Sequence, residues 1–348
     1  MSVDLLKPSR WMASEGPVSD VVISSRIRLA RNFKRLPFPQ LLGPAEAQKL
    51  VQEVRKRIFS IRDQFDGLDF LDLKDLESLE RQILVEKHLI SPQLAESEKA
   101  GAVALAAEDT VSIMVNEEDH LRIQCILPAF QIDEAWTAAD KVDDTFESEF
   151  DYAFLEKYGY LTSCPTNVGT GLRASVMLHL PALVMTKQAG KLLSALSKVG
   201  LTVRGLYGEG SEAIGDIFQV SNQITLGQTE DEIISNLKAV CNQIIDQEHK
   251  TRDKLSKSWG SQLEDRVGRA LGILLYCKII SSEEAIKLLS EVRLGVGMGY
   301  TSNISIPVLN QLLVYIQPSI LQKIYNETLE PEERDVKRAQ LIKSYLTK

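Results

Sequence analysis

The chain has 348 residues, of which 44% are hydrophobic and 25% charged, a composition typical of a soluble globular protein with one large and one smaller domain. Its net charge of −8 and pI near 5.3 argue against general binding to nucleic acid or to an anionic membrane surface. No apolar run approaches the roughly 20 residues that span a bilayer. Residues 1–16 lack the apolar core of a secretory signal peptide. We therefore expect a cytoplasmic protein in which any basic site is a local concentration of arginine.

The first part of the chain mixes short strands and helices. Strands are predicted at 21–30, 111–115, 121–126, 172–180, 201–207 and 217–226, and helices at 44–65 and 130–157. The five residues between the second and third of these strands are typical of a β-hairpin loop. Because hairpins dominate and regular βαβ alternation is missing, the sequence predicts an α+β fold with an antiparallel β-sheet flanked by helices.

The pattern changes after Gly227. Thr229 and Glu232 have the spacing of a capping box, which opens a helix that we expect to continue to about Ser256. Further helices are predicted at 262–278, 282–292, 305–325 and 331–346. The sequence therefore predicts a catalytic-type α+β domain over 1–255 and an all-helical C-terminal domain over 256–348.

Five arginines lie where strands can present them together. Arg26 and Arg28 are two residues apart in an extended segment, so both project from one face. Arg122 and Arg173 lie on the polar faces of two predicted strands, and Arg204 ends another. A guanidinium binds phosphate oxygens with two parallel hydrogen bonds, so such a cluster suits a polyphosphate. Each of these arginines taken alone is better explained as a solvated surface residue, and only their joint pattern indicates a site.

The segment LTSCPTNVGTGLRASVMLH at 161–179 resembles the signature of the guanidino (phosphagen) kinases, which transfer the γ-phosphoryl group of ATP to a guanidinium nitrogen. SSRIR at 24–28, NEEDHLR at 116–122 and RGLYGE at 204–209 resemble further segments of that family and occur in the same order. The resemblance covers roughly 20–225, far more than a single short motif. The chain has no GxxxxGK[ST] loop, so arginines would hold the phosphates instead.

The resemblance implies an ATP site in which Mg²⁺ enters with the nucleotide and the protein has no metal site of its own. Arg26, Arg28, Arg122, Arg173 and Arg204 would hold the phosphates, and His88 would lie beside the adenine or ribose. The backbones of SSRIR at 24–28, RASVM at 173–177 and RGLYGE at 204–209 would line the same pocket. Their residues are Ser24, Ser25, Ile27, Ala174, Ser175, Val176, Met177, Gly205, Leu206, Tyr207, Gly208 and Glu209.

The resemblance also implies an acceptor site. Glu118 would be the catalytic base, Glu209 a second carboxylate on the guanidinium, and Cys164 a thiolate that orients it. Two carboxylates suit this chemistry, because the guanidinium must be held and lose a proton as it attacks. The alternative for Glu118 is that 116–119 is only an acidic turn. The alternative for Cys164 is a buried, inert thiol. A GxGxxA match at 208–213 lacks the surrounding βαβ unit and is rejected as a dinucleotide site.

Family members that act on free arginine or creatine carry a helical domain before the SxRxR segment. Here that segment begins at Ser24, and helices follow the catalytic segments instead, so we expect an acceptor site open enough for an arginine on a polypeptide. In this the chain is similar to the bacterial protein arginine kinases over nearly its whole length. Arg334, Asp335 and Arg338 resemble that family's RDxxRA segment, which forms a phosphoarginine-binding pocket. The alternative is a solvated charged helix face.

The resemblance implies a cytoplasmic enzyme that forms a homodimer through its helical domain. It further implies an McsA-type activator, protein substrates with accessible arginine that include a CtsR-type heat-shock repressor, and delivery of marked proteins to a ClpC–ClpP protease. Two alternatives remain at this stage. One is a kinase for free arginine or another small guanidine, and the other is a non-catalytic adaptor that binds phosphoarginine through Arg334 and Arg338.

Overall fold

A computed structural model describes residues 4–65, 67–205, 213–301 and 303–347. The strands are β1 (Val22–Arg31), β2 (Leu68–Asp72), β3 (Ala102–Ala106), β4 (Val111–Val115), β5 (Leu121–Pro128), β6 (Phe154–Leu155), β7 (Gly159–Tyr160), β8 (Leu172–His179), β9 (Leu201–Gly205) and β10 (Ile217–Asn222). The helices are α1 (Pro44–Ile61), α2 (Ser78–Glu86), α3 (Pro92–Glu96), α4 (Ile132–Glu147), α5 (Pro181–Met185), α6 (Ala189–Leu196), α7 (Glu230–Tyr276), α8 (Ser282–Gly297), α9 (Ile306–Tyr315), α10 (Pro318–Tyr325) and α11 (Pro331–Leu346).

Eight strands form one sheet in the order β2-β3-β4-β5-β1-β8-β10-β9, and neighbouring strands run antiparallel. The predicted hairpin is present as β4 and β5, with Val115 paired to Leu121 across its loop. β1 lies between β5 and β8 near the middle of the sheet, so both of its edges are hydrogen-bonded. The predicted antiparallel α+β architecture is confirmed.

The two faces of the sheet are covered by different helices. Alternation in β8 turns Leu172, Ala174 and Val176 toward a core shared with α1, α4 and the first half of α7. The other face carries Met177, which joins a second core with residues of the C-terminal helices. Full burial of one such aliphatic side chain stabilises a fold by about 1.5–3 kcal/mol. Both faces therefore hold the sheet rigidly, and the polar side chains along β1, β5 and β8 have fixed positions.

The C-terminal helices are not separate from the sheet. Their second core includes Leu289 and Leu312 together with Trp11 near the N-terminus and Leu84 of α2. Helix α7 passes the predicted boundary at 255/256 and has one residue with non-helical backbone angles, Trp259 (φ −133°, ψ 25°). The division into 1–255 and 256–348 stays a prediction.

Two predicted helices differ from the structure. The helix predicted over 130–157 ends at Glu147, because Phe150 stacks on Phe33 (ring centroids 4.6 Å apart) and Tyr152 bridges to the backbone of Phe33. The helix predicted over 305–325 is broken before Pro318, whose missing N–H and ring are tolerated only in a first helical turn. Within the described ranges, none of the helices has the length and apolar character needed to cross a membrane.

Candidate active site

The strand register brings the predicted arginines to one face of the sheet. Arg28 of β1 is paired with Arg173 of β8 on one side and with Gln124 of β5 on the other. Arg122 is paired with Ala30, two residues along β1 from Arg28, and so projects from the same face. Arg204 of β9 continues the row, because its partner Gln219 is itself paired with Met177. Arginines that are up to 178 positions apart in sequence thus form one cluster.

Neighbouring side chains only partly satisfy these guanidinium groups. Arg26 donates to Oε1 of Gln219 (2.7 Å) and, at 3.4 Å, to Oγ of Ser175. Burial, followed by repulsion from Arg122 and Arg173, lowers the pKa of Arg26 to about 10. Burial, followed by repulsion from Arg26, Arg122 and Arg173, lowers the pKa of Arg28 well below its ordinary value. Within the described residues, Nε of Arg28 and Nε of Arg173 are buried without a hydrogen-bond acceptor. Such a cluster is completed by a polyanion, whose oxygens supply the missing acceptors.

The cluster lies at a cavity of about 730 Å³, a size typical of small-molecule sites. Arg26, Arg28, Arg122 and Arg204 line it together with residues from other parts of the chain. These include His88 just after α2, Gln93 of α3, Met114 of β4 and Gln317 before α10. Arg173 lines an adjoining recess that also contains Arg28, Arg122 and Glu118. The cavity can therefore place the phosphates on the arginines and leave space for the rest of a nucleotide.

His88 lies at the end of α2 with a left-handed backbone (φ +62°). Its carbonyl oxygen accepts a hydrogen bond from the Gln124 side chain (2.9 Å), and its ring centroid lies 5.5 Å from that of Trp11. Burial and then Arg26 lower the pKa of His88 to about 4, so the ring is neutral at pH 7. A neutral, partly buried imidazole at the cavity wall is suited to contact a base or a sugar rather than a phosphate.

The remaining residues of the SSRIR and RASVM segments divide between the two faces. Ser24, Ser175 and Met177 line a small recess beside Arg26 and His88. The side chains of Ile27, Ala174 and Val176 belong to the opposite core. The Ser25 hydroxyl donates to the carbonyl oxygen of Ala129 (2.8 Å). These last four residues can therefore reach a ligand only through their backbone.

The two glutamates of the NEEDHLR loop, Glu117 and Glu118, differ in burial and in the groups that they contact. Oε1 of Glu117 lies 2.6 Å from Nη1 of Arg122, and only 3% of its side chain is exposed. Burial alone would raise the pKa of Glu117, but Arg122 and hydrogen bonds outweigh it and hold the pKa below its ordinary value. Glu117 therefore fixes one arginine of the cluster. Sequence reasoning missed this ion pair, although the five-residue spacing across a tight hairpin could have suggested it.

Glu118 is largely exposed and lines the same cavity as the arginines. Its backbone carbonyl accepts a hydrogen bond from the side chain of Gln40 (2.9 Å), a residue that also lines the cavity, and this bond holds the loop in place. Partial burial, then Asp119 and Glu117, raise the pKa of Glu118, while Arg122 opposes the shift. A carboxylate with a raised pKa accepts a proton more readily than an ordinary one, as a general base must.

A buried aspartate ties the Glu118 loop to the Cys164 turn. Oδ1 of Asp119 accepts hydrogen bonds from the backbone N–H of Ser163 (2.7 Å) and from the side-chain amide of Asn32 (2.6 Å). Asp119 is 2% exposed, so its charge is satisfied by these donors rather than by water. Sequence reasoning passed over it as one acid among three. Its contacts join the loop that carries Glu118 to the turn that carries Cys164.

Cys164 begins a short turn whose backbone is held at several points. Its Sγ lies 3.0 Å from Oγ1 of Thr166, and its carbonyl oxygen accepts a hydrogen bond from the Thr162 hydroxyl (2.8 Å). Gly169, with φ +116°, closes the turn where a Cβ would lie 2.1 Å from the carbonyl oxygen of Thr225. Burial, Arg204 and Arg122 lower the pKa of Arg173, whereas Cys164 acts in the opposite sense. Asn167 of the same turn lines the recess that also contains Arg28 and Arg173, so the turn borders the arginine cluster.

Part of the predicted site lies outside the described residues. Leu206, Tyr207, Gly208 and Glu209 fall between 205 and 213. Gly205 is the last residue of β9, and its neighbour Arg204 is exposed at the cavity.

The RDxxRA segment lies on α11. Arg338 is 2% exposed, and its Nε and Nη1 donate to the carbonyl oxygens of Ile316 and Ile280, at 2.9 Å each. It also pairs with Asp335. Arg334 is half-buried and donates to the carbonyl oxygen of Leu329 (3.0 Å). Arg338 therefore braces α11 against the backbone at Ile316 and Ile280, and Arg334 braces it against the backbone at Leu329.

Two family models match the chain. The ATP:guanido phosphotransferase C-terminal catalytic domain matches residues 49–251, and the protein-arginine kinase McsB C-terminal domain matches residues 260–348. Among solved structures, the duplicated taurocyamine kinase of Schistosoma mansoni with bound transition-state-analogue components has a TM-score of 0.60 at 25% identity. That match covers 70% of this chain but only 35% of the duplicated kinase. Lombricine kinase shares the fold, with a TM-score of 0.56 at 23% identity over 71% of this chain and 70% of its own. The fold and the arginine-lined cavity define an ATP:guanido phosphotransferase.

Curated relatives narrow the class. The protein-arginine kinase of Moorella thermoacetica is 55% identical over 348 residues, which cover 99% of both chains. That of Pelotomaculum thermopropionicum is 53% identical over 96% of this chain and 95% of its own, and that of Geobacillus stearothermophilus is 52% identical over 97% and 93%. The chain belongs to the protein-arginine kinase family. The predicted family is thereby confirmed, and so is the predicted class of enzyme, an ATP-dependent phosphotransferase.

Proposed function

We propose that this protein transfers the γ-phosphoryl group of ATP to the guanidinium groups of arginine residues in proteins. One observation carries the proposal: four arginines line a cavity whose rim holds Glu118, a fifth lines the adjoining recess, and the Cys164 turn is tied to the Glu118 loop through Asp119. The relatives are named protein-arginine kinases, and these names support an arginine residue of a protein, rather than a free guanidine, as the acceptor.

In this proposal Arg26, Arg28, Arg122, Arg173 and Arg204 hold the triphosphate. The fit is supported by the buried Nε donors of Arg28 and Arg173, which lack an acceptor among the described residues. Mg²⁺ bound with the nucleotide would supply further neutralisation of phosphate charge. Within the described ranges, no group of three or more His, Cys, Asp or Glu side chains is arranged to hold a metal ion.

The acceptor guanidinium would lie between Glu118, Cys164 and Glu209. One of its nitrogens attacks the γ-phosphorus, a nitrogen–phosphorus bond forms, and the bond from phosphorus to the bridging oxygen of ADP breaks. The proton released by that nitrogen passes to the Glu118 carboxylate. The protein's own contribution is positioning and charge neutralisation, because phosphoryl transfer needs little covalent participation from side chains.

A phosphoarginine site at Arg334, Asp335 and Arg338 is proposed from the resemblance of the segment. Arg334 and Asp335 are both partly exposed and can meet a ligand. Arg338 would first have to release the carbonyl oxygens of Ile316 and Ile280.

The biological setting is also proposed from the family resemblance. It comprises a cytoplasmic homodimer, an McsA-type activator, a CtsR-type repressor among the substrates, and transfer of marked proteins to a ClpC–ClpP protease. The residues that form the dimer would lie in the proposed domain 256–348.

The test is incubation with Mg-ATP and an arginine-rich protein beside free arginine, with phosphate scored by mass spectrometry at neutral pH. Glu118→Gln is compared with Glu134→Gln, an exposed glutamate in the first turn of α4. We expect label on protein arginine that is lost in Glu118→Gln and retained in Glu134→Gln. Label on free arginine alone would contradict the proposal, and so would equal labelling by Glu118→Gln and the wild type.

A further inference from the structure

The C-terminal helices contribute a residue to the nucleotide cavity. Gln317, which directly precedes α10, lines the same cavity as Arg26 and Arg122. Its side-chain amide donates to the carbonyl oxygen of Leu313 (2.9 Å), one turn back in α9, so the side chain has a fixed direction. The catalytic family model ends at residue 251, so this contact with the cavity comes from a part of the chain outside that model.

Glu86 holds α10 at this position. It is the last residue of α2, lies two residues before His88, and lines the cavity as well. Its two carboxylate oxygens accept hydrogen bonds from the backbone N–H groups of Ser319 and Ile320, each at 2.9 Å. A carboxylate that accepts the free N–H groups of a helix start makes charge-assisted bonds and interacts favourably with the helix dipole. These bonds fix the first turn of α10 to α2.

Arg338 holds the other side of the same short segment. Its Nε donates to the carbonyl oxygen of Ile316, the residue immediately before Gln317 (2.9 Å). Arg338 also donates to the carbonyl oxygen of Ile280 and pairs with Asp335, so its own side chain is held by three contacts. Gln317 therefore lies between two anchored backbone groups, one held from α2 and one from α11.

We propose that Glu86 and Arg338 are positioning residues that fix Gln317 as part of the ATP site. Nucleotide binding and the packing of α10 are then coupled, so a change that loosens α10 weakens ATP binding, and bound ATP stabilises α10. The inference rests on the proposed function, since it takes the cavity as the nucleotide site. It assigns Arg338 a role that needs no phosphoarginine.

The test is direct ATP binding by calorimetry with the full chain and Mg-ATP, together with KM and kcat. Glu86→Gln leaves an amide with a single carbonyl oxygen in place of two charged acceptors. We expect it to raise the Kd and KM for ATP by about fivefold or more, with kcat changed less than about twofold. Glu80→Gln is the matched control: Glu80 also lies on α2 and meets α10, but through the Lys323 side chain (3.2 Å), and it does not line the cavity. We expect no change in its Kd.

Gln317→Ala changes only the side chain at the cavity and carries the test if Glu86→Gln does not fold. It should weaken ATP binding in the same direction, and the double variant should lose less than the product of the two single effects, because both act through one unit. Unchanged ATP affinity in folded Gln317→Ala and Glu86→Gln would overturn the inference. Wild-type protein that binds ATP but phosphorylates no protein arginine would overturn the proposed function and leave this inference standing.

Discussion

Arg28 and Arg173 are directly paired across the antiparallel strands β1 and β8, so two guanidinium groups lie side by side on one face of the sheet. Like charges at directly opposed positions destabilise a sheet. Among the described residues, neither guanidinium has a hydrogen bond to a carboxylate that would offset this repulsion. The fold carries this cost because its two rigid cores hold both strands, and the cost is offset when an anion binds.

The first prediction concerns Arg28→Met. Removing the charge relieves desolvation and repulsion, so we expect the free energy of unfolding of the nucleotide-free protein to stay constant or rise by about 1 kcal/mol. ATP affinity should fall by at least about tenfold, because a bidentate phosphate contact is lost. Urea unfolding without nucleotide and calorimetric ATP titration measure the two effects separately.

Arg31 is the matched control, because it lies on the same strand but forms an ion pair with a carboxylate. Its guanidinium meets Asp143, with Nη2 at 2.6 Å from Oδ2, and both side chains are almost fully buried. Burial alone would lower the pKa of Arg31, but Asp143 outweighs it and raises the pKa. Arg31→Met should cost about 3–5 kcal/mol by leaving a buried carboxylate unpaired. Similar stability losses in both variants would contradict this account of the cluster.

The second prediction concerns the pH dependence of phosphorylation. Glu118 must be ionised to accept the proton, so kcat/KM should fall as the pH drops through its pKa. Because partial burial, Asp119 and Glu117 raise that pKa, the fall should come at a higher pH than for an ordinary glutamate. Glu117→Gln removes one neighbouring negative charge and frees Arg122, and both changes lower the pKa of Glu118. The acidic limb should therefore move to lower pH, and an unmoved limb would show that another group controls it.

The third prediction concerns thiol reactivity. Burial raises the pKa of Cys125 to about 12 and also raises that of Cys241, so neither should react with iodoacetamide in the folded protein. Cys277 is partly exposed, but burial and Glu284 raise its pKa as well. Cys164 is partly exposed beside Arg173, and its alkylation should abolish activity. ATP should slow the reaction by occupying the neighbouring arginines.

Cys277→Ser and Cys164→Ser separate the two accessible thiols. Cys277→Ser should stay fully active and still be inactivated by alkylation. Cys164→Ser should keep a reduced rate, about tenfold to a hundredfold below wild type, because a hydroxyl is a weaker acceptor than a thiolate, and it should resist alkylation. Full activity in Cys164→Ser would leave the cysteine without a role in orienting the guanidinium.

The fourth prediction concerns Asp216, at the start of β10. Burial, followed by Glu291, raises its pKa from 3.8 to about 6, while a hydrogen bond from Ser290 partly opposes the shift. The folded state thus binds an extra proton relative to the unfolded state, and the resulting stability is present below about pH 4 and lost as the pH rises through about 6. Asp216→Asn removes this titration and, unlike most residues, asparagine accepts the left-handed backbone there (φ 56°).

Urea unfolding at about pH 4 and about pH 8 measures this effect. The variant should match wild type at the lower pH and exceed it by about 2 kcal/mol at the higher pH. A constant difference at both values would show that Asp216 does not titrate in this range.

The sequence by itself determined the strands that carry the arginines, because residue types that alternate with period two show which side chains share a face. Arg26 and Arg28 could be placed together from their spacing alone, and the family segments indicated the chemistry. It also determined the change to helices after Gly227, since helical caps are local signals. The end of α4 was not readable, because Phe150 leaves the helix to stack on Phe33, more than a hundred residues earlier.

Only the tertiary structure decided which acid does what. Glu117 and Glu118 are adjacent and chemically identical in the sequence, yet one is buried on Arg122 and the other faces the cavity. The anchoring role of Asp119 and the contribution of Gln317 to the cavity likewise depend on contacts between distant segments. Local pattern fixes which face of an element a side chain lies on. What that side chain meets, and how its charge is balanced, is set by how separate elements pack.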